Sequence, residues 1–151
     1  MKSTHLLKHI VTALVLSLTL AAPCLQAAEA QSSQTASTRD QVVIQVSDDD
    51  ARKWNLALNN AKNVQDGLGA GNVDVEIVVY GPGIGMLKFD STVASRIDQA
   101  KDDGVKIVAC ENTMQNQNLT KNDMLSSIGY VPAGVIELMQ KQKDGYAYIR
   151  P

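Results

Sequence analysis

Short apolar stretches alternate with amphipathic stretches along residues 41–151, and this alternation predicts strands and helices in turn. The predicted strands are rich in β-branched residues and lie at residues 42–46, 73–80, 105–109, 128–131 and 146–150. The helix-period segments lie between them. Strands that alternate with helices favour an α/β domain of three layers, with a mostly parallel sheet and right-handed crossovers.

The first helix is predicted over residues 51–66, because apolar residues recur at spacings of three and four from Trp54 onward. The acidic triplet at residues 48–50 precedes it. Such a run is typical of a helix N-terminus, where carboxylates accept free N–H groups, and a cation site is the alternative. The helix interior carries asparagines, which are poor helix formers and predict a solvated polar stripe. The alternative is that Asn60 hydrogen-bonds the loops of a functional site.

Two later helices are predicted from their end signals. The second follows a cap at Asp90 or Ser91 and ends at Gly104. The last begins near Pro132, which suits the first turn of a helix, and ends at Gly145. Its predicted apolar face consists of Val135, Ile136, Leu138 and Met139.

The residues that follow the strands are the candidate functional residues, because ligands of parallel sheets bind beyond the carboxyl ends of the strands. Cys110 follows the third strand, and the segment 81–85 follows the second. The glycines of this segment could cradle a phosphate, but Pro82 removes a donor N–H and no Gly-Lys-Ser/Thr follows. A plain turn that lines the sheet edge, with Gly81 and Gly83, is the favoured interpretation.

Residues 1–30 predict a secretory signal peptide. Lys2 and Lys8 flank the start, an uncharged apolar run covers residues 10–22, and an Ala-Glu-Ala sequence ends at Ala30. The apolar run is shorter than the roughly 20 residues that a membrane span needs. We therefore expect cleavage near Ala30, a periplasmic mature protein that no membrane retains, a flexible lead over residues 31–40, and one domain over residues 41–151.

The composition excludes several kinds of chemistry from the mature chain. Both histidines, His5 and His9, lie in the predicted signal peptide, so no Ser-His-Asp or Cys-His mechanism and no imidazole metal ligand is expected. Cys24 lies there too, which leaves Cys110 without a partner for an internal disulfide. No basic stripe is present, so no nucleic-acid partner is expected. We expect neither a metal nor a cofactor.

Cys110 has two interpretations. Cysteine is among the most buried residue types and often only fills space. Here, however, the residues that follow are polar, and Asn112 or Thr113 could cap a short helix. A thiolate is favoured near a helix N-terminus, whereas the neighbouring Glu111 works against it. A reactive thiolate and a structural residue therefore both remain open.

Several segments resemble the DsrE/DsrF-like family. They are Lys53-Trp54-Asn55-Leu56-Ala57-Leu58-Asn59-Asn60-Ala61, Tyr80-Gly81-Pro82-Gly83, Val108-Ala109-Cys110-Glu111-Asn112-Thr113, Leu119-Thr120-Lys121-Asn122-Asp123, Val131-Pro132-Ala133-Gly134-Val135 and Gly145-Tyr146-Ala147-Tyr148-Ile149-Arg150-Pro151. The resemblance covers about residues 41–151. It implies a flavodoxin-like fold of about five strands and a homo-oligomer such as a trimer or hexamer. It also implies a cysteine that carries sulfur as a persulfide, and Cys110 occupies the matching place.

The leading hypothesis is therefore a periplasmic sulfur carrier or sulfurtransferase that exchanges sulfur with donor and acceptor thiol proteins. Cys110 would hold the sulfur, and backbone N–H groups near Asn112 and Thr113 would steady the persulfide anion. Asn60 and the 81–85 segment, with Gly81 and Gly83, would shape the pocket. The alternative is a non-enzymatic, homo-oligomeric module that binds a small ligand, with Cys110 as a structural pocket residue.

Overall fold

The computed structural model describes residues 39–151. Five strands are formed: β1 (Asp40–Val46), β2 (Val73–Val79), β3 (Lys106–Cys110), β4 (Gly129–Val131) and β5 (Ala147–Ile149). The α-helices are α1 (Ala51–Leu68), α2 (Ala94–Asp102), α3 (Glu111–Asn116) and α4 (Gly134–Lys143). Short 3-10 segments cover Ala70–Asn72, Gly81–Leu87 and Lys121–Asp123. The predicted signal peptide lies outside the described residues, and β1 begins one residue before the predicted domain boundary.

The strands form one parallel sheet in the order β4-β3-β2-β1-β5. The chain builds outward from β1 through β2 and β3 to the edge strand β4. It then returns through α4 to the opposite edge, where β5 pairs with β1. The α/β prediction with a parallel sheet of about five strands is thus confirmed.

Helices cover both faces of the sheet, as continuous apolar strand sequences require. One face packs against α1 and α2 in the larger cluster, which includes Ile44, Ala57, Ile77, Ile97 and Ile107. The other face packs against α4 in a much smaller cluster of Val43, Val78, Val108, Val131 and Leu138. The α4 face therefore holds its helix with few apolar contacts.

The N-terminus of α1 agrees with the cap interpretation of the acidic triplet. Asp50 is the N-cap residue, and its side chain accepts a hydrogen bond from the Arg52 N–H at 2.8 Å. The Arg52 side chain hydrogen-bonds the same carboxylate, and these contacts lower the pKa of Asp50. Each contact favours the ionised cap.

The start of α2 differs from the prediction. The helix begins at Ala94, and its N-cap is Val93, without a capping side chain. Ser91 instead shapes the turn before the helix, because its carbonyl accepts the Ala94 N–H at 3.1 Å. Val93 is buried in the larger cluster, so packing decides where this helix starts.

The fourth helix also differs, in its start and in its apolar face. It begins at Gly134, because Val131 still pairs with Cys110 in the sheet. Only Gly134 and Leu138 of this helix are buried. Val135, Ile136 and Met139 are 50%, 59% and 49% exposed, and we refer to these three residues as the α4 apolar surface. Within residues 39–151, no helix is long and apolar enough to cross a membrane.

Candidate functional site

Cys110 is the last residue of β3 and the residue directly before α3. The strand has five residues, as predicted, but it lies one residue further along the chain. The cysteine is therefore its last residue and does not lie just beyond it. Its side chain lies on the α4 side of the sheet, because side chains alternate along a strand and Val108 packs on that side. The residue is only 5% exposed.

The sulfur of Cys110 is surrounded by hydrogen-bond donors. Burial acts to raise the pKa of the thiol, but hydrogen bonds from the Thr113 hydroxyl and from the N–H groups of Gly134, Thr113 and Asn112 outweigh it. The pKa of the thiol is therefore lowered, and the thiolate is favoured. The sequence predicted that the charge of Glu111 would oppose the thiolate, but the pKa of Cys110 is lowered despite this neighbour.

The donors come from the first turns of two helices. Asn112 and Thr113 belong to α3, and Gly134 is the first residue of α4. The Asn112 N–H also donates to the Pro132 carbonyl at 3.1 Å, so the N–H groups of Gly134 and Thr113 are the freer donors. Because α4 has no capping side chain, its first N–H needs an acceptor, and the sulfur takes that place.

Thr113 connects the cysteine to the segment Gly81–Leu87. The Gly81 N–H donates to the Thr113 hydroxyl oxygen at 2.9 Å. The same hydroxyl donates to the sulfur, which acts to lower the pKa of the thiol. On the other side of Gly81, its carbonyl accepts from the Gln117 amide at 3.4 Å. The turn after β2 therefore orients the hydroxyl that stabilises the thiolate.

Two glycines permit close backbone approaches around the site. At Gly83, an added Cβ would lie 2.9 Å from the Val46 carbonyl oxygen, so the turn can rest on the end of β1 only with glycine there. At Gly134, an added Cβ would lie 3.0 Å from Cβ of Tyr80. Gly134 was not among the predicted site residues, although it lies in the Val-Pro-Ala-Gly sequence that follows β4.

The structure brings Gly81, Asn112 and Thr113 to Cys110. Gly83 lets the turn after β2 pack on the end of β1. Asn60 lies in the middle of α1, half-buried, and makes no hydrogen bond to the Gly81–Leu87 segment within the described chain. A role for Asn60 therefore stays a prediction.

The neighbouring asparagines of α1 serve to join two helices. The amide oxygen of Asn59 accepts from Arg96 of α2 at 2.7 Å, and the amide oxygen of Asn55 accepts from the same guanidinium. The predicted solvated stripe is thus partly a contact between α1 and α2.

A charged group lies beside the cysteine, at the β4 edge. The Glu111 carboxylate is 3.7 Å from the Lys121 ammonium, which lies 4.5 Å from the centre of the Tyr130 ring. Burial raises the pKa of Tyr130, and the Glu111 charge raises it further. Lys121 partly neutralises Glu111, which limits the effect of that carboxylate on the thiol. Across residues 39–151, no cluster of three or more Cys, Asp or Glu side chains could hold a metal ion.

A three-layer domain with a parallel five-stranded sheet is a flavodoxin-like α/β protein by class, and here a cysteine lies at the carboxyl edge of the sheet. The model of the DsrE/DsrF-like family matches residues 40–151, and the chain belongs to that family. Its fold is therefore that of the sulfur-relay-like proteins.

Solved structures agree with this assignment. MTH1491 from Methanobacterium thermoautotrophicum, a protein of unknown function, is 30% identical with a TM-score of 0.71, over 74% of this chain and 99% of its own. BT1422 from Bacteroides thetaiotaomicron, also of unknown function, is 19% identical with a TM-score of 0.63, over 77% of this chain and 98% of its own. The ychN protein from Escherichia coli is 9% identical with a TM-score of 0.60, over 75% and 99% respectively. The last two show the fold alone. No curated protein matches the chain.

Proposed function

We propose that the protein is a sulfur carrier that holds sulfane sulfur as a persulfide on Cys110. The observation that supports this most directly is the convergence of the Thr113 hydroxyl and the N–H groups of two helices on one sulfur atom. Such an arrangement favours an anion on sulfur, which a purely structural cysteine does not need. Membership of the DsrE/DsrF-like family supports the same reaction class.

Loading is a thiol–disulfide type of exchange. The Cys110 thiolate attacks the outer sulfur of a donor persulfide or polysulfide, a new S–S bond forms, and the donor leaves as a thiolate or a shortened polysulfide. In the second step an acceptor thiolate attacks the outer sulfur of Cys110, and Cys110 leaves as thiolate. A lowered pKa makes Cys110 a better leaving group, so the same donors assist release. The steps consume no oxidant and need neither a metal nor a nucleotide.

The burial of Cys110 constrains the donor. With 5% of the residue exposed, a small inorganic polysulfide reaches the sulfur more readily than a folded protein does. Protein donors and acceptors would need to present a cysteine on a flexible segment. Thiol proteins of this kind are the partners we propose.

The same burial favours a second function, a non-enzymatic module for a small ligand with Cys110 as a structural residue. A cysteine that packs between β3, α3 and α4 fits this function if it never becomes accessible. The two functions differ in whether sulfur can be added to the thiol.

Intact-mass measurement distinguishes them. A Cys24→Ser chain, in which Cys110 is the only thiol, is incubated with polysulfide, and the matched control carries Cys110→Ser as well. A gain of about 32 Da, lost on reduction and absent from the control, supports the carrier. An unchanged mass, together with a native thiol that resists alkylation, rejects the carrier and supports the binding module.

We also propose that the protein forms homo-oligomers through the α4 apolar surface. Three half-exposed apolar side chains on one helix are more than a monomer requires. Sedimentation of an Ile136→Gln variant should show a smaller species than the parent. Leu56→Gln is the matched control, because Leu56 is exposed by 46% on the opposite side of the sheet. If Ile136→Gln keeps the parent mass, this surface is not the contact.

Residues 1–30 support a further proposal, that the chain is exported to the periplasm. Expression of the full chain, followed by cell fractionation and N-terminal sequencing, tests it. A periplasmic protein that begins near residue 31 is the expected result, and a cytoplasmic protein that retains residue 1 contradicts export.

A further inference from the structure

Glu76 is a buried carboxylate that the sulfur chemistry does not use. It lies in β2 on the α4 side of the sheet and is 2% exposed. The ammonium groups of Lys106 from β3 and Lys141 from α4 each lie 3.0 Å from its Oε2 atom. Neither carboxylate oxygen receives a hydrogen bond of favourable angle, so these contacts are ion pairs. A cavity of about 170 Å³ adjoins the group, beside Asp74 and Tyr146.

Burial of this ion pair is costly for stability. Removing a carboxylate and an ammonium from water has a large free-energy cost, and well-packed apolar residues often stabilise a core equally well. The presence of the ion pair is therefore better explained by the structural element that it holds in position than by a contribution to the free energy of unfolding.

The group that it fixes is α4. Leu138 is the only large side chain of this helix in the core, and one apolar contact leaves the rotation and the sliding of a helix poorly determined. Lys141 supplies a second, charged attachment one turn further along. Tyr146 places its ring 4.8 Å from the same ammonium. Glu137 belongs to α4 itself, so its carboxylate, 3.7 Å from the Lys141 ammonium, does not attach the helix to the sheet, and burial and the Glu76 charge raise its pKa. Burial lowers the pKa of Lys141, but Glu76 outweighs this effect and keeps the ammonium charged.

The opposite end of the same helix presents the Gly134 N–H to Cys110. Lys141 lies seven positions after Gly134, which corresponds to about 10 Å along the helix axis. A helix of this length moves as a rigid rod, so a shift at Lys141 changes the distance between the Gly134 N–H and the sulfur.

We propose that the buried Glu76–Lys141 ion pair is a positioning device for the Cys110 thiol, which holds α4 so that the Gly134 N–H meets the sulfur. Lys141 and Glu76 are then positioning residues, not catalytic ones. The inference deepens the proposed function, because it treats the thiolate as the working group, but its test reads the thiol itself and not sulfur transfer.

The test compares two lysines that contact the same carboxylate oxygen at the same distance. Lys141→Gln detaches α4, whereas Lys106→Gln removes the contact from β3 and leaves α4 attached. In the Cys24→Ser background, the ultraviolet absorbance of the thiolate is titrated against pH, with the Cys110→Ser chain subtracted. Lys141→Gln should raise the pKa of Cys110 by about one unit, or about tenfold less thiolate at a pH below that value. Lys106→Gln should leave the pKa unchanged, and Lys141→Arg should restore it.

An unchanged pKa in folded Lys141→Gln overturns the inference. Equal increases in both Gln variants also overturn it, because they indicate a general effect of charge. If Lys141→Gln does not fold, the double variant Glu76→Gln/Lys141→Gln removes the unpaired buried charge and is titrated instead, with the same expected increase.

Failure of the proposed function has a different signature. If the parent chain never gains sulfur, yet Lys141→Gln shifts the pKa and Lys106→Gln does not, the carrier is rejected and the positioning device stands. If the parent chain gains sulfur and Lys141→Gln leaves the pKa of Cys110 unchanged, the carrier stands and the positioning device is rejected.

Discussion

Replacing Thr113 with Val tests the site most directly, because the two side chains have nearly the same shape and differ in one hydroxyl. In the structure this hydroxyl accepts the Gly81 N–H at 2.9 Å and donates to the sulfur of Cys110. The variant therefore removes one hydrogen-bond donor from the thiolate and leaves the Gly81 N–H without its acceptor.

The magnitude follows from these two losses. A hydrogen bond to a charged group contributes about 1.5–3 kcal/mol. One pKa unit corresponds to about 1.4 kcal/mol, so the pKa of Cys110 should rise by about one to two units. Loss of the acceptor for the Gly81 N–H should lower the free energy of unfolding by about 1–3 kcal/mol. The stability loss and the pKa change arise from the acceptor and the donor role of one hydroxyl group.

Thiolate titration in the Cys24→Ser background measures the first effect, and chemical denaturation measures the second. Thr113→Ser is the matched control, because it keeps the hydroxyl and should keep the pKa near that of the parent. A Thr113→Val chain that folds and titrates at the parent pKa would show that the hydroxyl does not stabilise the thiolate.

Three further predictions use the same measurements. Gly134→Ala should raise the pKa of Cys110, because its Cβ would lie 3.0 Å from Tyr80 and must push α4 away from the sulfur; an unchanged titration contradicts this. Gly83→Ala should lower the free energy of unfolding by about 1–3 kcal/mol, since its Cβ would meet a backbone oxygen at 2.9 Å. Gly71→Ala, with open space at its Cβ, is the control for both glycines and should change neither quantity. Finally, a pKa that is lower in the folded than in the unfolded chain adds stability that is fully present above the unfolded pKa and lost as pH falls through the folded pKa. The difference in unfolding free energy between the parent and Cys110→Ala should therefore widen as pH rises through that interval, and a constant difference refutes the lowered pKa.

The fold was predictable from the sequence because its signals are local. Runs such as residues 77–79 are apolar on both faces, and glycines or prolines separate the elements. Together they define the order of strands and helices without knowledge of any distant contact. The cap at Asp50 was predictable for the same reason.

The site was predictable only in part, because its donors come from segments that are distant in sequence. Cys110, Asn112 and Thr113 lie together along the chain, and Gly81 lies at the end of the neighbouring strand. Gly134 reaches the sulfur only through the position of α4, which no local pattern defines. A short run of Val, Ile, Leu and Met predicted a buried face there, but the residues on most of that face are exposed.

Glu76 was missed for a related reason. An acidic residue at an alternate position of a strand is typical of a solvated face. The lysine that makes its burial possible lies on α4, 65 positions later in the chain. A buried ion pair with such a separation leaves no trace in local periodicity.

The order of the strands determines when, during folding, the hydrogen-bond donors come together around the Cys110 thiol. β5 pairs with β1, so Ile44 meets Ile149, and this pairing closes a loop of most of the domain. Contacts between such distant residues form late, since the chain loses more entropy in closing a long loop than a short one. The segment that closes the loop includes α4 and its Gly134 N–H. A chain that is still incomplete, or that has lost its last helix and strand, therefore lacks the Gly134 donor, and the full set of donors to the sulfur exists only once both ends of the domain have met.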